Sequence, residues 1–302
     1  MSADRRTVLL GAGALALAAC SREVKSAETD LDADVEDAGT LDLDLSDLEA
    51  RHGGRLGLAV ASGSVNAAWR GNERFVYCST FKMYLAAATL LRVQAGQERL
   101  DRAIPITAAD MINHAPTTEK AVGLTLTVEQ LMKATVELSD NPAANILIRE
   151  MGGLDALRAF YRGIGDDSTR VDRLEPEMNR ADGDKDTITP IQSVQNISRL
   201  LVAPDTPLNA ASRVLLMRWM TETPTGQGRI KAGIPAGWTV AHKTGTGGYG
   251  PTNDIGLIQR PAGGAPIVIA VYFHATRDST DAQREAVIAD ATRLALKALG
   301  HG

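Results

Sequence analysis

The sequence predicts a mixed α/β (α+β) fold, in which a five-stranded antiparallel sheet is flanked by helices and an all-helical part is inserted into it. Two observations support this. Strand-like segments cluster near both chain ends, as "RLGLAVA" and "VNAAWRG", then "WTVAHKTGT", "NDIGLIQR" and "PIVIAVYFHA". Between them, from Ser79 to about Met220, the apolar pattern is mostly helical. We therefore expect residues 41–74 and 222–302 to form the sheet part and residues 75–221 the helical part.

Residues 1–19 have the features of an export signal. Arg5 and Arg6 precede an uncharged run from Thr7 to Ser21, which is shorter than the roughly 20 apolar residues of a membrane span. Paired arginines before such a run are typical of twin-arginine export. The run ends in "LAAC", which resembles a lipoprotein cleavage site and predicts lipidation of Cys20 on an extracytoplasmic membrane face. An ordinary signal peptide with a chance cysteine is the alternative.

Residues 20–40 are predicted to be a flexible acidic tether. From residue 22 to residue 49 there are eleven acids against two bases, and large apolar residues are rare before residue 41. The remaining residues, 50–302, carry 25 acids and 28 bases without a basic block. That distribution gives no support to nucleic-acid binding.

The elements of the sheet part follow from local patterns. An amphipathic helix is predicted from Leu41 to about His52, where two glycines end it. A hairpin follows, and the three C-terminal strands are separated by glycine-rich turns, as an antiparallel meander requires. The last helix is predicted from about Asp281 to Leu299.

Two features mark the helical part. The helix "TVEQLMKATVEL" opens with Thr127 and has Gln130 three residues later, which is a capping-box pattern. Residues 163–190, "GIGDDSTRVDRLEPEMNRADGDKDTITP", show no apolar period. Loops of this length inside compact domains are usually functional or disordered, and a solvated charged loop is the alternative.

Lys82 is the one charge in an otherwise apolar helix, "FVYCSTFKMYLAAATLL". An unpaired buried ammonium is costly or loses its proton, so this lysine needs a partner or a role. Ser79 precedes it by one helical turn and lies at the helix N-terminus, where backbone N–H groups are free. The pair predicts a nucleophilic serine activated by a desolvated lysine.

Two more triplets carry chemistry when they are taken together with this pair. Ser139-Asp140-Asn141 follows a helix, and in isolation it is typical of a cap. Lys243-Thr244-Gly245 lies near a strand end, where its cation and hydroxyl could meet an anionic group of a substrate.

In this order, S-x-x-K, S-D-N and K-T-G are the motifs of class A β-lactamases and penicillin-binding proteins. The segment "RLEPEMN" (173–179) also matches an E-P-E-x-N motif, and "DKDTITP" is similar to the closing arm of the same loop. From about Leu41 to Leu299 the chain resembles the class A serine β-lactamase family. The resemblance implies a hydrolase that confers antibiotic resistance by opening β-lactams through an acyl-enzyme, without a cofactor.

The resemblance implies catalytic roles for five residues. Ser79 would attack the lactam carbonyl, with its own N–H and that of Thr246 as the oxyanion hole. Lys82 and Glu175 would share the general-base work, and Glu175 would activate the deacylating water with help from Asn179. Ser139 would relay a proton to the leaving nitrogen.

It also implies a set of substrate-binding residues. Lys243, Thr244 and Thr246, near the strand end, would hold the substrate carboxylate. Asn141 would bind the acylamide side chain of the substrate. His114 stands where relatives often carry a gate residue, with a solvated histidine as the alternative, and Arg229 could equally be a surface arginine. Arg173 and Asp186 are expected to pair and close the long loop. The expected substrate-binding residues are Asn141, Lys243, Thr244, Gly245, Thr246, Arg229 and His114.

The cysteines and histidines give no support to an intrachain disulfide or a metal site. If Cys20 is lipidated, Cys78 has no partner for an intrachain disulfide, and a small buried side chain is its expected role. The five histidines are scattered without metal-ligand spacing, so no metal is expected. The expected partners are therefore small β-lactams, and a monomer is expected.

Two other functions remain open at this point. One is a penicillin-binding D,D-peptidase, and the other is a membrane-tethered β-lactam-binding module that is acylated without turnover. Glu175 discriminates between them and a hydrolase, because only an enzyme with a base for water releases its ester quickly. The residue types do not predict a preference among penicillins, cephalosporins and carbapenems.

Overall fold

The computed structural model describes residues 39–248, 250–276 and 278–301. The predicted export signal, Cys20 and all but the last two residues of the predicted tether lie outside the described residues. The strands are β1 (Thr40–Leu41), β2 (Arg55–Ser62), β3 (Val65–Trp69), β4 (Phe75–Val76), β5 (Ala103–Pro105), β6 (Thr125–Thr127), β7 (Thr187–Ile188), β8 (Thr239–Thr246), β9 (Pro251–Gln259) and β10 (Ile267–His274). The helices are α1 (Ser46–His52), α2 (Phe81–Gln94), α3 (Val128–Glu137), α4 (Asn141–Met151), α5 (Leu154–Gly163), α6 (Pro190–Ile197), α7 (Ala210–Glu222), α8 (Ile230–Gly233) and α9 (Asp281–Ala298).

The main sheet has the strand order β1-β3-β2-β10-β9-β8. Its five long strands pair antiparallel with their neighbours, which confirms the predicted five-stranded antiparallel sheet. β10 lies between β2 and β9, so the N-terminal hairpin and the C-terminal meander share one sheet. β8 is the edge strand, and it presents the Lys243-Thr244-Gly245 triplet at the sheet margin.

A sixth strand, β1, was not predicted. It pairs parallel with β3 through Thr40↔Asn66, and α1 begins only at Ser46, so the expectation of a helix from Leu41 is wrong. Of the segment "LDLDL" only Leu41 belongs to β1, and residues 42–45 lie in neither a strand nor a helix. The backbone N–H of Ser46 then bonds to the Asp44 carboxylate at 2.8 Å, where the helix starts.

Two apolar cores lie on the two faces of this sheet. One face packs against α1, α8 and α9, with Leu48, Ile230 and Ile288 fully buried. The other face packs against α6 and the helical part, with Phe81 and Trp219 among its buried residues. The sheet is therefore a middle layer between two helical layers.

α2 lies at the centre of the helical part, and it contacts α3, α4, α5 and α7. Every residue from Phe81 to Leu90 is buried, as its nearly continuous apolar circumference predicts. α3 begins with the predicted capping box, because Thr127 Oγ1 accepts from the Gln130 N–H at 3.1 Å and Gln130 Oε1 accepts from the Thr127 N–H at 2.8 Å. None of the helices in the described ranges combines the length and apolarity needed to cross a membrane.

The long loop, residues 163–190, is packed rather than solvated, which contradicts the solvated-loop alternative. Val171 and Met178 are buried in it, and β7 pairs with β4. The expected pairing of Arg173 with Asp186 is present, with Arg173 Nε 2.6 Å from Asp186 Oδ2. Asp186 is fully buried and also accepts the backbone N–H groups of Asp172 and Arg173 at 2.8 and 3.0 Å. The two arms of the loop are thereby tied together.

Candidate active site

A cleft of about 580 Å³ opens between the end of β8, the helical part and the long loop. Eight of the sequence-predicted residues lie on its walls: Ser79, His114, Ser139, Asn141, Asn179, Arg229, Thr244 and Thr246. Three more, Lys82, Glu175 and Lys243, lie beneath these walls and are at most 2% exposed. The structure thus brings residues together from positions far apart in the chain.

Ser79 lies in a 3₁₀ turn, Cys78–Thr80, that leads directly into α2. Asn253 on β9 holds the entry to this turn, because its Nδ2 donates to the carbonyl oxygens of Val76 and Tyr77 at 2.9 and 3.1 Å. A Cβ at Gly245 would lie 2.7 Å from the Tyr77 oxygen, so only glycine lets β8 approach the turn this closely. The serine hydroxyl is therefore held at the floor of the cleft by both flanking elements.

Lys82 has several acceptors around its buried ammonium group. Its Nζ lies 3.0 Å from Glu175 Oε1, and it donates to Asn141 Oδ1 at 2.5 Å and to the Ser139 carbonyl oxygen at 2.7 Å. Burial lowers the pKa of Lys82 below the ordinary lysine value, while the nearby Glu175 carboxylate opposes that change. The partner that buried Lys82 needs is thus Glu175, a carboxylate of the long loop.

Glu175 connects this cation to the serine. Its Oε1 accepts from Ser79 Oγ at 3.4 Å, and its Oε2 accepts from Asn179 Nδ2. Because Glu175 is only 2% exposed, its carboxyl group is held away from bulk water beneath the cleft wall.

Asn145, on α4, was missed by the sequence reasoning. Its Oδ1 accepts the backbone N–H of Glu175 at 3.0 Å, and its Nδ2 donates to the Glu175 carbonyl oxygen at 2.9 Å. The side chain therefore fixes both backbone groups of the residue that faces Ser79. A polar residue four positions after Asn141, on the same helix face, was the available signal.

The Ser139-Asp140-Asn141 triplet lies just before and at the start of α4. Ser139 has φ +59°, an uncommon value for a non-glycine residue, and its Oγ accepts from Lys82 Nζ at 3.4 Å and Lys243 Nζ at 3.2 Å. Asp140 is the cap residue predicted for the isolated triplet, because its carboxylate accepts the backbone N–H groups of Ala143 and Thr118 at 2.9 and 3.0 Å.

Lys243, at the end of β8, is fully buried. Its Nζ donates to the Thr244 carbonyl oxygen at 3.0 Å in addition to Ser139 Oγ. Burial, and secondarily the positive charge of Lys82, hold the pKa of Lys243 well below 10.5. Thr244 Oγ1 lies 2.9 Å from Thr225 Oγ1, another cleft residue that the sequence reasoning did not name.

Arg229 is a buried residue of the site and not a surface arginine, which contradicts that alternative. It is 7% exposed, and its Nη2 donates to Thr246 Oγ1 at 2.8 Å. Its Nη1 donates to the carbonyl oxygens of Gly245 and Asn253 at 3.1 and 2.8 Å, and its Nε lies 3.1 Å from Glu285 Oε1. A second cation is thereby fixed at the same end of the cleft as Lys243.

His114 lies exposed at the rim of the cleft, with its Nε2 2.9 Å from the Leu138 carbonyl oxygen. Asn113 lines the same rim and accepts from Asn141 Nδ2 at 3.0 Å through its carbonyl oxygen. Asn113 was not predicted from the sequence, although its neighbour His114 was.

Cys78 is buried beneath the cleft as a free thiol. Burial raises the pKa of this thiol far above its usual range, so the nucleophilic thiolate is suppressed. Within residues 39–248, 250–276 and 278–301, no three side chains of histidine, cysteine, aspartate or glutamate converge as metal ligands would.

The chain matches one protein-family model and several known proteins over most of its length. The family model described as "Beta-lactamase enzyme family" matches residues 40–299. The CTX-M-8 β-lactamase of Citrobacter amalonaticus is 40% identical over 82% of this chain and 85% of its own length. The OXY-2 β-lactamase of Klebsiella oxytoca is 40% identical over 84% of this chain and 88% of its own length.

Solved structures agree. An ancestral class A β-lactamase is 48% identical with a TM-score of 0.79, covering 84% of this chain and 98% of its own. A β-lactamase from Xanthomonas campestris pv. campestris is 39% identical with a TM-score of 0.81, covering 84% of this chain and 96% of its own. The chain therefore belongs to the class A serine β-lactamase family and is an enzyme that hydrolyses β-lactams.

Proposed function

We propose that this enzyme opens β-lactams through an ester on Ser79. The Oγ attacks the lactam carbonyl carbon, its proton passes into the Lys82–Glu175 pair, and the backbone N–H groups of Ser79 and Thr246 stabilise the oxyanion. The C–N bond then breaks, and the ring nitrogen takes a proton through Ser139. The single observation that supports this best is the contact of Glu175 Oε1 with both Ser79 Oγ (3.4 Å) and Lys82 Nζ (3.0 Å).

Deacylation is assigned to Glu175. Its carboxylate takes a proton from a water molecule, the resulting hydroxide attacks the ester carbonyl, and Ser79 leaves as a reprotonated hydroxyl. Asn179, which donates to the other carboxylate oxygen, orients the group and helps hold this water. This step distinguishes a hydrolase from a penicillin-binding protein that stays acylated.

Substrate recognition is assigned to the two ends of the cleft. Lys243, Thr244, Thr246 and Arg229 hold the substrate carboxylate, since two cations and two hydroxyls converge there. Gly245 contributes by letting β8 come close to the nucleophile turn. Asn141 binds the acylamide group, and His114 borders the entrance.

The export and anchoring of the protein rest on its sequence. We place the enzyme on an extracytoplasmic face of the cell envelope, exported through the signal in residues 1–19 and anchored by lipid on Cys20. It acts there as a monomer.

Intact-protein mass spectrometry tests the mechanism. After mixing with benzylpenicillin, Glu175→Gln should carry one penicilloyl group for minutes or longer, because acylation proceeds while the water lacks its base. Ser79→Ala should carry none, and the unmodified enzyme should return to its free mass once substrate is consumed. Turnover of Glu175→Gln at the unmodified rate would reject the deacylation role, and an adduct on Ser79→Ala would reject the nucleophile.

A further inference from the structure

Beneath the end of the cleft that holds Arg229 and Lys243, a histidine and an aspartate form a buried pair that the proposed mechanism does not use. His242 Nδ1 lies 3.0 Å from Asp254 Oδ1 and 2.9 Å from Asp254 Oδ2. The two side chains are 1% and 0% exposed. A carboxylate this deeply buried is costly unless its hydrogen bonds and charge are balanced, so its neighbours indicate its role.

The pair holds both flanks of Arg229. On one side, Asp254 Oδ2 accepts the backbone N–H of Ile230, the next residue in the chain, at 3.2 Å. On the other side, the His242 ring packs under Gly226, where an added Cβ would lie 2.9 Å from its Cε1. The Gly226 carbonyl oxygen accepts the Arg229 N–H at 3.0 Å and closes this turn. The backbone that carries the guanidinium is thus fixed from below.

The charges around the pair come from several elements. β8 contributes Lys243, the segment before α8 contributes Arg229, and α9 contributes Glu285, which is already paired with Arg229. On the other side of β8, Glu175 is paired with Lys82. Lys243 has no ion pair within 4.0 Å among the described residues, and the charge of Asp254 acts to raise its pKa against the effect of burial.

We propose that Asp254, oriented by His242, is a positioning residue for recognition of the substrate carboxylate: it fixes the Arg229 turn and provides the buried negative charge that balances Lys243. This inference rests on the proposed assignment of Arg229 and Lys243 to that carboxylate. Asp254 touches no substrate, so its effect must pass through these two cations.

The test compares benzylpenicillin with its methyl ester, which lacks the carboxylate charge. Asp254→Asn keeps the shape of the side chain and an acceptor for the Ile230 N–H, but removes the charge. It should raise KM for benzylpenicillin about tenfold, the equivalent of about 1.4 kcal/mol, with kcat nearly unchanged. KM for the methyl ester should change less than about twofold. The ratio of kcat/KM for the acid to kcat/KM for the ester should therefore fall several-fold.

Asp166→Asn is the matched control. Asp166 is also a buried carboxylate, 1% exposed, and it accepts the N–H groups of Ser168 and Thr169, none of which lines the cleft. This variant should keep the unmodified acid-to-ester preference. Because a ratio measured on one preparation does not depend on the folded fraction, loss of stability alone cannot reproduce the expected result.

A pH profile supplies the second readout. In Asp254→Asn the alkaline rise of KM for benzylpenicillin should begin at lower pH, since Lys243 loses a neighbouring negative charge and gives up its proton sooner. If Asp254→Asn does not fold, His242→Ala serves in its place, and it should shift the preference in the same direction.

Three outcomes decide the matter. A reduced preference and an earlier alkaline rise support the positioning role. If the unmodified enzyme favours the acid and neither Asp254→Asn nor His242→Ala changes that preference, the role of Asp254 is overturned and the proposed function still stands. An unmodified enzyme that hydrolyses acid and ester equally well rejects the carboxylate assignment itself, and this inference with it.

Discussion

At the scale of single residues, the site is organised by two buried ammonium groups. Lys82 is paired with a carboxylate, whereas Lys243 is surrounded by hydroxyl and carbonyl oxygens. Burial lowers the pKa of both; Glu175 opposes the change for Lys82 within an ion pair, whereas Asp254 opposes it for Lys243 without forming one. The two environments differ as the proposed roles require, which are proton transfer for Lys82 and anion binding for Lys243.

Removal of the proposed nucleophile should show the largest single effect. Ser79→Ala should lower kcat/KM for nitrocefin at least about 10³-fold, because it removes the oxygen on which the proposed ester forms. The initial rate of the absorbance change measures this directly. Ser64→Ala, in the exposed turn between β2 and β3, is the control and should retain full activity.

The lowered pKa of Lys243 predicts a pH effect in the unmodified enzyme. As pH rises through that pKa, which lies well below 10.5, the ammonium loses its charge and KM for benzylpenicillin should increase. A Lys243→Arg variant carries a cation that stays protonated, so its KM should remain flat over the same pH range. Equal alkaline profiles for the two enzymes would contradict the carboxylate-binding role of Lys243.

At the scale of elements, the long loop depends on α4. Two hydrogen bonds from Asn145 hold the backbone of Glu175, while Arg173 and Asp186 close the arms of the loop. The rest of the loop can therefore lack an apolar period and still place one carboxylate accurately beside Ser79.

Asn145→Ala should loosen that attachment. The loss of two hydrogen bonds at about 1 kcal/mol each should lower the free energy of unfolding by about 2 kcal/mol. Deacylation should slow more than acylation, so stopped-flow traces with nitrocefin should acquire a burst phase. Asn209→Ala removes the N-cap of α7, where Asn209 Oδ1 accepts the Ser212 N–H at 2.9 Å. This control should lose about 1 kcal/mol of stability without a burst.

The elements also indicate what the sequence could predict. The capping box of α3, the hairpin that begins with β2 and the apolar circumference of α2 are local signals, and the structure contains each of these elements. The predicted start of α1 was wrong because the leucines and aspartates before Ser46 alternate with period two, whereas an amphipathic helix has a period of 3.6 residues. Only the neighbouring strand β3 decides in favour of β1.

For the site, the three short motifs and the family resemblance together named eight of the sixteen residues that line the cleft. Three residues of the site were not predicted, because nothing in the local sequence indicates their contacts. They are Asn145, which contacts Glu175, Asn113, which contacts Asn141, and Thr225, which contacts Thr244. These contacts cross 30, 28 and 19 residues of chain, respectively, and they exist only once the parts have packed.

At the scale of the whole molecule, the cleft belongs to neither layer alone. β8 supplies Lys243, the helical part supplies Ser79 and Lys82, and the long loop supplies Glu175. The chemistry therefore requires the sheet and the inserted helices to be folded and packed at the same time. Local damage to either part should reduce turnover even where it leaves the other intact.

The position of the molecule in the cell gives a further prediction. Cys20→Ala should move the enzyme from the membrane fraction to the soluble fraction, because the proposed lipid has no attachment point. Immunoblots of fractionated cells measure this. Cys78→Ala is the matched control, since its buried thiol should not affect partitioning. A membrane-bound Cys20→Ala protein would contradict the lipid anchor.

The hydroxyl of Ser139 lies between two ammonium groups, and its oxygen can accept a hydrogen bond from each through its two lone pairs. With both lone pairs engaged, the hydroxyl can form a further hydrogen bond only as a donor. Because Ser139 lines the cleft, a bound molecule is expected to meet it as a donor and to be most complementary where it carries an acceptor.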